Sequence, residues 1–314
     1  MTRPVDARAT ARAPMVAIEW LLLIVLAGMW GSSFLFNKIA LRELPHFTLV
    51  CIRLIFATTL LCGMAMALGH SLRLPARVWK RLALMGLLNN FLPFNFTTYG
   101  QSHIGAGLAA ILAASAPLFV VVLAHFFTRD ESMTVRKVGG VLAGMAGVAV
   151  IMGPAALHSL DSQLFAQLSL ICSAMAIAIA GIYGRVLFGV PPIVSAAGQA
   201  ACSMLMMIPV ALIADRPWEL AMPGAATWAC VLGLASIGSG IAYVIFFHLL
   251  ATAGATNVVL VNLLVPVSAV LLGVAFLGEH IEPRHFTGML LITAGLAAID
   301  GRAFTWLHRI ASRT

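Results

Sequence analysis

Long apolar runs separated by short polar segments organise almost the whole chain. A helix that crosses a bilayer needs about 20 mostly apolar residues, because hydrocarbon offers its backbone no outside hydrogen-bond partner. Ten segments meet this requirement, so the pattern predicts an all-α integral membrane protein. We number the predicted transmembrane helices in chain order as the first to the tenth span: 18–40, 47–68, 82–100, 105–127, 137–153, 164–187, 193–214, 225–250, 254–278 and 285–301.

A pattern of Gly, Pro and Glu is written twice, once in each half of the chain. Gly105, Pro117, Glu131, Gly140 and Gly147 recur in the same order, as Gly254, Pro266, Glu279, Gly288 and Gly295. A repeated unit of this kind indicates a duplication. Each unit contains an odd number of spans, five, so the second copy enters the membrane upside down. The sequence therefore predicts two inverted five-helix repeats around a central cavity, an arrangement common in secondary transporters and also compatible with a channel.

The spans divide the chain into four predicted regions. A basic cytoplasmic tail covers residues 1–16, the first repeat 17–153, the second repeat 164–301, and a second cytoplasmic tail 302–314. We expect the first span to be retained in the membrane, because no cleavage pattern of small residues follows it.

Composition supports the membrane assignment. The chain of 314 residues is 61% hydrophobic and only 10% charged, and its mean hydropathy is +1.00. Soluble domains carry about 25% charged residues. The net charge of +8 does not indicate nucleic acid, because the basic residues lie at the ends of apolar runs. The five cysteines have no paired spacing, and we predict no metal site and no cofactor.

The distribution of Lys and Arg predicts the orientation. With a cytoplasmic N-terminus, only Lys38, Arg42, Arg216 and Arg284 fall on the outer side, and Arg53 lies inside the second span. All the other basic residues fall on the inner side, which is the bias of inner-membrane proteins. We therefore expect a multi-pass protein of the cell inner (plasma) membrane with both termini in the cytoplasm.

Several short motifs resemble the drug/metabolite transporter superfamily, in the branch built from two EamA domains. They are Trp-Gly-Ser-Ser-Phe at 30–34, Arg53-Leu54 and the repeated Pro, Glu and Gly pattern. The resemblance extends from about residue 17 to 300. One departure is Arg129-Asp130-Glu131, where the family more often has Gly before Glu, as in Gly278-Glu279.

The resemblance implies a ten-helix transporter of small metabolites, and the pattern looks most like amino-acid exporters, aromatic ones included. It also implies a central cavity formed mainly by the first, third, fourth, sixth, eighth and ninth helices. Other implied functions are a drug or multidrug carrier of the same fold and other metabolite carriers.

Polar residues deep in spans mark candidate substrate contacts, because they are costly in hydrocarbon and so face a cavity or another helix. In the third span these are Asn90, Asn95 and Tyr99, and in the eighth Ser239 and Tyr243. Asn95 and Tyr99 share one helical face. The alternative, that these groups join helices to one another, has equal weight.

The first and ninth spans add further candidates. Trp30, Ser33 and Asn37 form a stripe along the first span, and Asn262 lies one turn before Pro266. Rings that line a cavity suit aromatic or amphipathic substrates. Ordinary packing is the alternative for the stripe. Pro117 and Pro266 occur once per repeat and are candidate hinge or gate residues, with a static kink as the alternative.

Charged residues complete the candidates. Arg53 either contacts an anionic substrate group or pairs with carbonyls, and the resemblance favours the structural role because it places the second helix at the periphery. Glu279 and Glu131 either cap helices or close a gate. No carboxylate falls at mid-span, and His248 is the one titratable imidazole placed for proton linkage. We therefore expect facilitated diffusion or weak proton coupling.

The predicted function is a secondary transporter, acting as an exporter or facilitator of small metabolites, amino acids above all, by alternating access. Its predicted partners are a small-molecule substrate and the lipid bilayer, with no nucleic acid, and a monomer is compatible with the sequence. An enzyme is not expected, since the chain has no His-Glu-x-x-His motif and no membrane-embedded aspartate pair. A channel is also disfavoured, because no charged filter ring is present.

Overall fold

The computed structural model describes residues 16–127, 134–153, 162–187, 189–253, 258 and 260–300. The described residues are helical with short connections, and none of them forms a strand. They follow the ten predicted spans, so the all-helical membrane fold is confirmed. Glu131 and Gly254, which belong to the repeated pattern, lie outside the described residues.

The first half contains five helical rods. Their bounds are Ala17–Ala40; His46–Ala67; Ala76–Gly86 continued by Leu87–Phe91 and Leu92–His103; Ala106–Ala113 followed by Ala116–Phe127; and Val135–Met152. Pro45 and Pro75 immediately precede the second and third rods. Proline has no backbone N–H and a fixed φ, so it suits the start of a helix.

The second half repeats this order. Its rods are Ser162–Tyr183 with a short 3₁₀ turn at Gly184–Leu187; Pro192–Ala214; Ala225–Ala235 continued by Ser236–Ile241 and Ala242–Thr252; Val261–Leu277; and Pro283–Asp300. By length and composition, seven of the described helices are apolar enough to cross a membrane, and Val261–Leu277 is a shorter apolar helix.

Both middle rods contain a π-helical turn at the equivalent place. Leu87–Phe91 interrupts the third span, and Ser236–Ile241 interrupts the eighth. A π-turn adds one residue to the helix and changes the direction of the side chains that follow it, and such turns are frequent at functional sites. The duplication therefore extends to local backbone irregularities that are absent from the obvious sequence pattern.

The fifth and tenth spans cross tightly through four glycines. A Cβ placed on Gly140 would lie 2.6 Å from the Gly295 carbonyl oxygen, and one on Gly147 would lie 2.6 Å from that of Gly288. Small residues let helix backbones approach closely in a membrane. Gly140 corresponds to Gly288, and Gly147 to Gly295, so exchanging the two halves exchanges the two contacts. The helices run antiparallel, which is what two inverted repeats require.

The other main interfaces also join the two halves. The first span packs on the ninth and the fourth on the sixth, and these two pairs are related by exchange of the halves. The third-to-sixth and first-to-eighth contacts are related in the same way. Neither half encloses a hydrophobic core by itself. Helices of both halves therefore bound the space between them.

Candidate transport site

A cavity of about 290 Å³ lies between the two halves. Its wall is made by the first, third, fourth, sixth, eighth and ninth spans, together with one residue of the second. The residues that line it are Trp30, Ser33, Phe34, Asn37, Arg53, Pro93, Phe94, Thr97, Ala110, Ala113, Ala114, Ala116, Pro117, Ser173, Ile177, Gly238, Ser239, Tyr243, Asn262, Val265 and Pro266. None of these lining residues carries a carboxylate.

The stripe predicted on the first span faces this cavity. Trp30, Ser33 and Asn37 all line it, since residues spaced by three and four positions share a helical face. The Trp30 ring lies 5.7 Å from the Phe246 ring of the eighth span, measured between centroids. The first span thus supplies an aromatic wall at Trp30 and polar groups at Ser33 and Asn37.

The eighth and ninth spans contribute three more predicted residues. Ser239 lies within the π-helical turn, and Tyr243 follows one turn later; both line the cavity, as does Asn262. The Ser239 hydroxyl donates to the Leu234 carbonyl oxygen at 3.4 Å, so the altered turn holds this side chain.

The two predicted hinge prolines line the cavity in different backbone settings. The fourth span is interrupted at Ala114 and Ser115, immediately before Pro117. Pro266 lies inside the continuous helix Val261–Leu277. Four alanines at or beside the interruption line the cavity, namely Ala110, Ala113, Ala114 and Ala116. A hinge or gate role for either proline stays a prediction.

The three candidates of the third span do not line the cavity. The Asn95 amide donates to the Phe91 carbonyl oxygen at 2.6 Å and contacts the Met207 sulfur at 3.3 Å, toward the seventh span. Tyr99 packs against His46 and His103 near the end of the span. Asn90 is buried, with 7% of its surface exposed. A binding role for these three residues has no support from their positions.

The face of the third span that borders the cavity instead carries Pro93, Phe94 and Thr97. The Thr97 and Ser173 hydroxyls are hydrogen-bonded at 2.9 Å and so join the third and sixth spans. Sequence reasoning missed Thr97 because polar groups occur on opposite faces of the third span, and it named no candidate in the sixth span, where Ser173 lies. Thr97 follows Pro93 by one helical turn, and this spacing was the available signal that the two residues share a face.

Arg53 lies at the cavity and not at the periphery that the family resemblance favoured. Only 8% of its surface is exposed, and its Cζ atom lies 3.9 Å from the centroid of the Phe94 ring. This distance is typical of a cation–π contact. Its Nε has no hydrogen-bond partner among the described residues. A buried positive charge therefore borders the cavity.

An ordered amide chain fixes the orientation of Asn37. Gln101 Nε2 donates to the Phe34 carbonyl oxygen at 2.8 Å, so Gln101 Oε1 is the atom that accepts from Asn37 Nδ2, at 3.1 Å. Asn37 Oδ1 is then left as an acceptor, and it has no partner among the described residues. Asn37 is 3% exposed.

One end of the bundle, which we call the Lys38 end, is tied together just beyond Asn37. Lys38 Nζ donates to the carbonyl oxygens of Gln101 at 2.7 Å and Ile104 at 2.8 Å, where the third span ends. A cation is favourable there because helix C-termini carry partial negative charge.

Glu279 ties the same end from the second half of the protein. Its carboxylate accepts from the backbone N–H groups of Ala106 at 2.5 Å and Gly107 at 2.9 Å, at the start of the fourth span. Gly273 and Gly105 admit it, since a Cβ on either would lie within 3.0 Å of the carboxylate. Gly278, with φ of +65°, turns the chain so that Glu279 reaches this position. Glu279, in the connection between the ninth and tenth spans, thus caps the fourth span.

The opposite end, which we call the Arg81 end, contains a second recess of about 260 Å³. It lies between the end of the sixth span, the start of the seventh and the eighth, and Tyr243 lines both this recess and the central cavity. Nearby, Arg81 donates to the Val186 carbonyl oxygen at 3.3 Å, and Asn89 donates to Gln199 at 3.1 Å. Tyr243 therefore separates the central cavity from the recess.

The described residues contain no group of three or more His, Cys, Asp or Glu side chains that could hold a metal ion. The five cysteines, all within described spans, are unpaired. The chemistry of the cavity is consequently that of rings, amides, hydroxyls and one guanidinium. Among the lining residues, no hydroxyl is accompanied by a His, Asp or Glu that could act as its base.

The class of protein that this fold defines is a membrane transporter, and the comparisons with known proteins specify the family. The family model described as the EamA-like transporter family matches twice, at residues 18–153 and 164–299. The chain belongs to the EamA-like transporter family, with two EamA domains, and is of the drug/metabolite transporter type. Members of this family are transporters and not enzymes, as the sequence predicted.

Relatives of similar length support the assignment. The chain is 26% identical to the uncharacterized transporter YoaV of Bacillus subtilis, over 85% of this chain and 91% of that protein. It is also 26% identical to the uncharacterized inner membrane transporter YedA of Escherichia coli, over 88% and 89%. A solved crystal structure of 20% identity matches 90% of this chain and 96% of its own with a TM-score of 0.65, which supports the fold alone.

Proposed function

We propose that this transporter carries small amphipathic metabolites, amino acids and aromatic ones in particular, by alternating access through the central cavity. The observation that carries the proposal is the lining: rings of Trp30, Phe34 and Tyr243 face the same space as amides and hydroxyls. At about 290 Å³ the cavity is at the small end of ligand pockets, which run from about 300 to 1,000 Å³. A single small metabolite fits this description.

The inverted halves supply a mechanism. In transporters built this way, access alternates when the two halves exchange conformations around a fixed site. Here Lys38 and Glu279 hold one end together, and Tyr243 separates the cavity from the recess toward the other end. We propose that releasing the Lys38 end and closing around Tyr243 produces the opposite state.

Orientation and coupling complete the proposal. We place the Lys38 end on the outer side and both termini in the cytoplasm of the inner membrane, following the distribution of basic residues. No lining residue carries a carboxylate that could bind a proton or Na⁺ at the cavity. We therefore propose facilitated diffusion or weak proton coupling, with His248 as the candidate for proton linkage.

The test is a flux screen with purified protein in liposomes. Amino acids and cationic drugs are offered first without an ion gradient and then with a pH or Na⁺ gradient. We expect saturable uptake of an aromatic amino acid without any gradient, and its loss in Trp30→Ala and Tyr243→Ala. Trp218→Ala is the matched control, since Trp218 is 67% exposed and does not line the cavity.

The outcomes separate the candidate functions. Flux only of cationic drugs would replace the amino-acid proposal by a drug carrier. Uptake that appears only under an imposed gradient would refute facilitated diffusion. Flux that does not saturate would indicate a channel.

A further inference from the structure

We propose that Arg53 and the carbonyl oxygen of the Asn37 amide form a head-group site for a zwitterion, with the substrate carboxylate on Arg53 and its ammonium group on Asn37. The inference rests on the proposed function and makes it more specific, because it states which charges the substrate carries and where they bind. It also assigns a role to the one second-span residue that borders the cavity.

The first step concerns the charge of Arg53. A guanidinium in a membrane interior is costly and is normally paired. Phe94 covers one face of the guanidinium, yet a ring satisfies none of its N–H donors, and Nε has no partner among the described residues. No carboxylate lines the cavity. Because a planar guanidinium matches a carboxylate in shape and charge, a substrate carboxylate is the natural partner.

The second step concerns Asn37 Oδ1, an acceptor that has no hydrogen-bond partner among the described residues. The bond from Gln101 to the Phe34 carbonyl fixes both amides, so Asn37 presents its oxygen and not its NH₂ group as the free atom. A carbonyl oxygen accepts from an N–H donor and repels a carboxylate. The cavity thus offers one buried donor that suits an anion and one buried acceptor that suits an ammonium group.

The two atoms together select among charge types. A simple cation has no carboxylate to pair with Arg53, so the positive charge of Arg53 repels it. A simple anion has no N–H donor for the Asn37 oxygen, so that oxygen stays unpaired. A zwitterion satisfies both groups and enters with no net charge, while its apolar part packs against the aromatic wall at Trp30. A binding site discriminates more strongly against a ligand that leaves the site's own buried polar groups unpaired.

The experiment measures ligand-dependent stabilisation of the full chain in detergent, together with inhibition of phenylalanine uptake in liposomes. Three probes of the same shape are compared: phenylalanine, phenylalaninamide, which has no carboxylate, and 3-phenylpropionate, which has no ammonium group. Benzoate and benzamide serve as a second pair. In the wild type we expect phenylalanine to bind at least about tenfold more tightly than either analogue.

Variants then assign each preference to its residue. We expect Arg53→Met to abolish the preference for phenylalanine over phenylalaninamide and Arg53→Lys to restore part of it. Asn37→Leu should abolish the preference over 3-phenylpropionate and leave the other intact. Arg77→Met is the matched control, because Arg77 is exposed at the Arg81 end.

Equal binding of the three probes by the wild type would overturn the inference. This test needs no variant, so the inference can be refuted even if a variant fails to fold. An Arg53→Met protein that keeps the carboxylate preference would also overturn it. If phenylalanine is not transported but benzoate stabilises the protein through Arg53 and benzamide does not, the amino-acid proposal fails and the carboxylate site on Arg53 stands.

Discussion

Among the residues that the structure describes, the two ends of the bundle are held by different contacts, although both ends come from duplicated sequence. At the Lys38 end, three carboxylates from Glu43, Asp215 and Glu279 each accept hydrogen bonds at the start of a helix in the opposite half. At the Arg81 end, the one cap by a carboxylate among the described residues is Glu19 on Val16 of its own helix. Glu131, the counterpart of Glu279 in the first repeat, lies outside the described residues.

The three carboxylates act in the same way. Asp215 accepts from Thr48 N at 2.7 Å and Thr48 Oγ1 at 2.9 Å, at the start of the second span. Glu43 accepts from Gly224 N at 2.7 Å, at the start of the eighth. An anion is favourable at a helix N-terminus, where N–H groups lack intrahelical partners. Among the described residues, the carboxylate ties between the two halves therefore lie at the Lys38 end.

The largest effect on this comparison is expected from Glu279→Ala. The change leaves the N–H groups of Ala106 and Gly107 without their acceptor. Since the loss of a helix cap costs about 0.5–2 kcal/mol, we expect a loss of about 2 kcal/mol and a melting temperature lower by roughly 4–8 °C. Thermal unfolding in detergent measures the change in melting temperature.

The control for that change is Glu219→Ala. Glu219 pairs with Arg216 on the surface and has a side chain that is 58% exposed. Exposed pairs contribute about 0–1 kcal/mol. Equal destabilisation by the two variants would contradict the capping role of Glu279.

A smaller loss is expected from Lys38→Met, which keeps the apolar stem and removes the two bonds to the end of the third span. We expect about 1–2 kcal/mol, because the ammonium group also interacts with the helix C-terminus. Lys80→Met, at an exposed position of the Arg81 end, is the matched control. A stability unchanged from the wild type would show that Lys38 does not tie this end.

Asp215→Ala should cost about 1 kcal/mol, the usual contribution of an N-cap. The reason is the loss of both bonds to Thr48. The melting temperature in detergent measures it, and Asp215→Asn, which keeps an acceptor oxygen, should recover part of the loss. Failure of the asparagine to do better than alanine would contradict the cap.

The smallest effect concerns pH. Hydrogen bonds from the Thr227 side chain and the Gly224 backbone lower the pKa of Glu43. A group with a lowered folded-state pKa stabilises the protein above its unfolded-state pKa, and this stabilisation is lost as pH falls through the folded value. Glu43→Gln should therefore reduce the fall in melting temperature between neutral pH and about pH 3. An identical pH profile in wild type and variant would refute it.

The sequence was sufficient for the rods and for half of the cavity. Apolar length predicted the spans, and helical periodicity grouped Trp30, Ser33 and Asn37 on one face, which lines the cavity, because the first span is a regular helix. The third span was harder, since it contains a π-turn and polar groups on more than one face. Periodicity alone could therefore not decide whether the face of Asn95 or the face of Thr97 borders the cavity.

For Arg53 the sequence left two roles open, and the resemblance favoured the one that the position of the side chain does not support. Within one span, a buried arginine that joins helices and one that borders a cavity have the same sequence signature. Only the packing of Phe94 and the arrangement of neighbouring spans distinguish them. Similarly, the role of Glu279 depends on a contact between halves that no spacing reveals, although its position after Gly278 indicated a turn.

The most direct test of the central claim is counterflow in liposomes. Vesicles loaded with unlabelled phenylalanine are compared with empty vesicles for the initial rate of labelled phenylalanine uptake. A site that alternates between the two ends of the bundle predicts faster, saturable uptake into loaded vesicles and loss of that acceleration in Tyr243→Ala. Equal, unsaturable uptake into loaded and empty vesicles would contradict a single cavity shared by two inverted halves.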